Sequence, residues 1–186
     1  MKNYIILILF VLLGYQKPVL AQNEQLGSVI ISFDFNRAKQ DYANNQFAVW
    51  IEDLEGKLVK TIFATNFTAK GGWKYRPESL PAWTQKSNIS GLTEKEVDAI
   101  SGATPKSQRL VYKWNGDDSE HNFLPAGKYK YFVEVNYYWD SAAVFSGIIE
   151  IGDSANSTIA KATYSTEDAK KYDLIENVAA EYISRQ

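Results

Sequence analysis

The chain contains no cysteine, so an exported form of it has no disulfides and must hold its fold by packing alone. With one histidine besides, His121, it has too few ligands for the usual zinc or haem sites. Positive charge is not in excess either. Lys and Arg number 20 against 22 Asp and Glu, and no basic patch is interleaved with aromatics, which argues against nucleic acid as a partner. The one histidine also has no sequence context for a Ser/His/acid nucleophile. Long apolar runs are missing except at the very start.

That exception reads as a signal peptide over residues 1–21. Lys2 supplies the positive start, Ile5 to Leu13 is an unbroken apolar run, and Val19, Leu20, Ala21 form a small-x-small cleavage site. The run is too short and wrongly flanked for a membrane span. No cysteine follows Ala21, which removes a lipoprotein anchor. The sequence therefore predicts a periplasmic protein starting at Gln22, more acidic than the formal −2 of the whole chain because Lys2 and Lys17 are lost. Residues 22–186 suit a single domain able to bury a substantial core.

Period-two alternation dominates the mature chain. Val29, Ile31, Phe33 and Phe35 alternate with polar residues, and Phe47, Val49 and Ile51 give a second strand. Glu55-Gly56 turns the chain into a third, over 58–65. Leu110, Tyr112 and Trp114 line a fourth. Tyr129, Tyr131, Val133, Val135, Tyr137 and Trp139 make the clearest of all, with Glu134 expected to face solvent. Residues 144–151 and 158–164 complete a set of about seven short strands, which predicts an all-β fold, an antiparallel sandwich.

Two stretches break the alternation. Residues 66–107 carry Gly71-Gly72, Pro77 and Pro81, too long for an ordinary connection and therefore read as a functional insertion. Thr93 and Glu96 have capping-box spacing, so a short helix is predicted over 94–100. At the other end, Ser165 or Thr166 is placed as the cap of a C-terminal α-helix over 166–184. Tyr172, Ile175, Ala179 and Tyr182, with Val178, supply its apolar stripe.

The insertion contains the run Val97 to Thr104, VDAISGAT. It resembles the acceptor signature of covalently flavinylated bacterial proteins, in which an FAD:protein FMN transferase esterifies the threonine with FMN phosphate. The residue types suit that chemistry. Ser101, Gly102 and Ala103 are thin enough to enter a second enzyme's active site, and Thr104 supplies the hydroxyl. A plain small-residue turn between helix and strand explains the same string. Ser107 fits the signature's trailing hydroxyl, while Pro105 and Lys106 stand where Thr-Ser is usual. Pro105 biases Thr104 toward extended backbone. Asp98 falls on the last helical turn, and Trp73 and Trp83 flank the segment as candidates to stack on an isoalloxazine ring. Core packing is the plainer reading of both tryptophans.

Two wider resemblances follow. Trp114, Gly116, Asp117, then Pro125, Ala126, Gly127, Tyr129 and Tyr131, are similar to the immunoglobulin-like module of flagellar hook-capping proteins, which implies an Ig-like sandwich. Ala48 to Asp53, Gly56, Lys57, Val59, Lys60, Leu80 to Trp83 and Asp98 to Pro105, with the Trp114 to Tyr131 segment, resemble predicted periplasmic proteins of the domain of unknown function DUF2271. That resemblance implies companions: PepSY-type membrane proteins and the flavin transferase, hence an envelope redox system. The expected function is a component of a flavin-based electron-transfer system, carrying FMN on Thr104 or serving a flavin-bearing partner, rather than an enzyme with its own turnover. The alternative is a cofactor-free binding module that docks a PepSY-type membrane protein.

The remaining polar clusters read as turns. Asn115, Asp117, Asp118, Ser119 and Glu120 lack the EF-hand spacing, and His121 beside them reads as a solvated loop residue. Glu52 and Asp53 are consecutive at a hairpin and point to opposite sides.

Overall fold

The alternation in the first strand becomes burial in three dimensions. In β1, Gly27–Phe35, the side chains of Val29, Ile31, Phe33 and Phe35 are wholly buried. The computed structural model describes residues 25–38 and 45–185, so the signal-peptide reading lies outside the described residues. After β1 come β2 (Gln46–Glu52), β3 (Leu58–Thr65), β4 (Ser101–Gly102), β5 (Gln108–Trp114) and β6 (Gly127–Tyr138). Then follow β7 (Ser141–Ile151), β8 (Asn156–Ile159), β9 (Lys161–Tyr164) and β10 (Ile175–Ser184).

These strands form two sheets, in the orders β5-β1-β10-β8 and β4-β3-β2-β6-β7-β9. Every pairing is antiparallel except β3 with β4. One apolar cluster draws on both sheets: Phe33 and Phe35 of β1 and Val178 and Tyr182 of β10 meet Phe47 and Val49 of β2 and Tyr131 and Val133 of β6. Phe33 and Phe47 touch edge to face at 5.6 Å. The expected inner face of β6 is observed, with Tyr131, Val133 and Val135 all wholly buried.

β2 is buried on both faces. Its outward residues Ala48 and Trp50 lie under the insertion, in a second cluster with Leu80, Trp83 and Ile89. The insertion is ordered: α1 (Asn66–Ala69), a tight turn at Gly72–Lys74, α2 (Pro81–Ser87) and α3 (Glu94–Ile100). It roofs the outer face of the larger sheet, which explains why polar residues on that face are also buried.

Three expectations fail, each for an identifiable reason. Glu134 does not face solvent; it is 1% exposed beneath α2. The seventh strand is two, because the chain crosses at Ala160 from β8 in one sheet to β9 in the other. The C-terminal helix over 166–184 is absent. In its place stands a single tight turn at Asp168–Lys171, preceded by Glu167, with Thr166 Oγ1 accepting the Ala169 N–H at 3.1 Å. Beyond it β10 runs between β1 and β8. Asn177 there has φ 53°, and the pairing with β1 shifts register beside it. That bulge stretches the buried spacing from two to three residues, Ile175 to Val178, before Ala180 and Tyr182 resume alternation. A bulged strand thereby imitates a helical stripe.

Candidate functional site

The acceptor-like run is built by α3 and β4. Thr93 caps α3 as its spacing predicts: the Glu96 N–H donates to Thr93 Oγ1 at 3.3 Å, and the Thr93 N–H donates back to Glu96 Oε2 at 2.7 Å. The Thr93 side chain, and then its backbone, hold the Glu96 carboxyl below its ordinary range. Leu92, Val97 and Ile100 pack on the second cluster and fix the helix to the sheet.

At Ser101 the backbone turns extended, and Ser101 and Gly102 pair in parallel with Ala64 and Thr65 of β3. The segment is therefore not a free loop from its start: its first two residues are an edge strand, half-buried. Ala103 is exposed and Thr104 half-buried, both in the irregular link to β5. None of the described residues hydrogen-bonds the Thr104 hydroxyl. Ser101 Oγ is a buried atom that likewise has no hydrogen-bond partner among the described residues. Gly102 has a structural reason of its own, since a Cβ there would sit 2.6 Å from the Phe63 ring.

Asp98 stands on the last turn of α3 as expected, and its carboxylate is 2.6 Å from Lys70 Nζ, both side chains about half exposed. This pair ties α3 back to the end of α1. Trp73 is half-buried against the second cluster, with Lys74 Nζ 5.5 Å from its ring centre. Trp83 is wholly buried and donates its indole N–H to Thr61 Oγ1 at 3.1 Å. Its ring has no open face to offer a flavin. Asp98 and the 101–104 segment are thus brought together, whereas Trp83 belongs to the core.

The polar turn after β5 holds itself together. Asp118 accepts the N–H groups of Glu120 and Asn122 at 2.8 and 2.9 Å. Asp117 is nearly buried and pairs with Lys60 and with His121, whose Nδ1 lies 3.0 Å from Asp117 Oδ2.

Strand alternation gave no sign of the buried polar row beneath the insertion. Glu134 accepts N–H groups of α2, Asn136 donates to the Glu78 carbonyl at 3.3 Å, and Glu52 accepts the Trp50 indole N–H at 2.8 Å and pairs with Lys86. Gln46 Oε1 takes the Thr65 hydroxyl at 2.6 Å, and Thr68 and Ser79 share a hydrogen bond at 2.7 Å. These groups fasten the element that carries residues 98–104. Among the described residues no helix is long and apolar enough to cross a membrane. No curated protein and no solved structure matches the chain. The family of predicted periplasmic proteins DUF2271 does match, over residues 29–168, and the chain belongs to it.

Proposed function

We propose that this chain is a periplasmic component of a flavin-based electron-transfer system, with FMN carried covalently on Thr104. The observation that supports it most is the placement of the Ser-Gly-Ala-Thr run. It leaves a capped, anchored helix, is held to the sheet for two residues only, and ends in a threonine whose hydroxyl none of the described residues bonds. In the loading reaction Thr104 Oγ forms a bond to the FMN phosphorus of FAD. The pyrophosphate P–O bond breaks, AMP leaves with the electron pair, and the hydroxyl proton passes to the transferase's base. Bound flavin supplies one- or two-electron transfer. The chain's part is to present the hydroxyl, with Gly102 keeping the strand flat on Phe63 and Asp98 marking the end of the helix.

In this reading the two-sheet body is an immunoglobulin-like scaffold. Tyr129 Oη donates to the Pro125 carbonyl at 2.9 Å, the contact of a tyrosine corner, and the Trp114 indole N–H donates to the Asp117 carbonyl at 2.7 Å.

Co-expression with an FAD:protein FMN transferase tests the proposal. On a denaturing gel under ultraviolet light the wild-type band fluoresces and its intact mass rises by one FMN moiety. Thr104→Ala stays dark, and Thr104→Ser keeps some signal. A dark wild-type band, or an equally bright Thr104→Ala band, overturns it in favour of a cofactor-free module that docks a PepSY-type membrane protein.

A further inference from the structure

A cleft of about 660 Å³ opens along the flank of β3, between α3 and the β5 strand with its following turn. It exists because β4 covers the edge of β3 only at Ala64 and Thr65, so among the described residues no strand pairs with that edge from Leu58 to Phe63. β5, across the gap, belongs to the other sheet. The floor is apolar, from Ile62 of β3 with Leu92 and Ile100 at the two ends of the helical segment. The rim carries three lysines, Lys60, Lys95 and Lys113, with the His121 imidazole beside Lys60.

The acids nearby cancel only part of that charge. Asp117 is committed to Lys60 and His121, and Glu96, an anion on the same rim, is turned through Oε2 to the N–H and hydroxyl of Thr93 and makes no ion pair with a described lysine. Among the described residues Lys95 and Lys113 have no carboxylate partner. Two cations without partners therefore stand over an apolar floor, in a cavity of the size that takes small molecules. A hydrophobic ligand alone would leave the rim unused, and an inorganic anion would leave the floor wet.

We infer that this cleft binds an organic anion, a flat apolar body carrying a carboxylate, phosphate or sulfonate head. The body lies on Ile62 and Ile100, and the head sits between Lys95 and Lys113. The site is separate from the flavin reading. β4 starts level with Ala64 and runs parallel to β3, so the chain carries Thr104 away from the Leu58–Ile62 stretch that lines the cleft. Unmodified protein binds equally well.

The test uses two fluorescent probes on the unmodified protein: anilinonaphthalene sulfonate, an apolar anion, and phenylnaphthylamine, its uncharged counterpart. Wild type binds the anion more tightly than the neutral probe. Lys95→Glu with Lys113→Glu weakens the anion by about tenfold or more while leaving the neutral probe within about twofold. Ala99→Trp, an exposed helix position at the cleft, blocks both probes without changing the far-ultraviolet circular dichroism. Ile159→Asp, in an exposed position elsewhere, changes neither. No binding to wild type, equal affinity for the two probes, insensitivity to the charge reversal, or loss on Ile159→Asp each overturns the inference.

Discussion

The carboxylate of Glu134, on the outward face of β6, accepts the Trp83 N–H at 2.7 Å and, through its other oxygen, the Ala82 N–H at 3.0 Å. These are first-turn amides of α2, which have no partner inside the helix. One strand residue thus caps the helix that roofs its own sheet. Burial pushes this carboxyl up to about 7, and the two backbone N–H groups oppose the shift. The folded state therefore binds a proton more tightly than the unfolded chain. Its contribution is full below the ordinary 4.5 and declines as pH rises toward 7. Glu134→Gln removes that titration. Urea unfolding at steps between those values should give a wild-type minus variant difference that falls by a few kcal/mol with rising pH. A flat difference would show that Glu134 titrates normally.

Val133 is the neighbour of Glu134 with the opposite orientation, wholly buried between the sheets. Val133→Asp leaves an uncompensated charge there and should cost about 3 kcal/mol or more, enough to unfold a marginal domain. Thermal unfolding like that of wild type would place the side chain on the wrong face.

Val133 and Glu134 also mark the boundary of what was legible. The inner face of β6 announces itself, because alternating large apolar residues have few other places to go. Its outer face does not. Whether Glu134 meets water depends on a roof encoded some fifty residues earlier, and no local pattern records that contact. The capping box at Thr93 and Glu96 was readable because both partners lie within one turn. β10 was misread because a single bulge shifted its period. The placement of Ser101 and Gly102 on the sheet edge was likewise hidden, since two residues are too short to show any period.

Asn177 carries that bulge and can be tested directly. Its φ of 53° disfavours branched side chains, and its Nδ2 donates to Asp34 Oδ2 at 2.7 Å. Asn177→Val should destabilise by roughly 1–2 kcal/mol through the backbone alone, whereas Asn177→Gly keeps the conformation and loses only the side-chain contact. Equal stability of the two variants in urea would contradict the bulge. A helix at 166–184 would make the opposite ranking, with glycine the worse.

Gly102 lies against Phe63, so the small residue serves packing as well as access. Gly102→Val should cost about 1–3 kcal/mol by overpacking, and Phe63→Ala should recover part of that loss in the double variant. Additive effects of the two substitutions would mean that the ring moves aside freely. The flavin proposal adds a separate readout. If loading needs a thin segment, the double variant stays dark on co-expression with the transferase even where its stability returns.

Asp98 offers the finest discrimination, because its carboxylate has two possible uses. It pairs with Lys70 at 2.6 Å, and it stands at the helix end just before the acceptor-like segment. A pair this exposed contributes less than about 1 kcal/mol, so Asp98→Asn and Lys70→Met should each unfold close to wild type. Their loading by the transferase should differ. If Asp98 acts by bracing α3 against α1, removing either partner loosens the brace, and both variants load slowly. If the transferase reads the carboxylate itself, Asp98→Asn loads slowly while Lys70→Met loads at the wild-type rate or faster, its carboxylate now freed. We expect the second pattern, since the capping box and the packing of Val97 and Ile100 already fix the helix without the ion pair. Initial rates of flavin incorporation, read by in-gel fluorescence, decide between them. Wild-type loading of Asp98→Asn would remove Asp98 from the site and leave Thr104 with its thin approach as the whole of it.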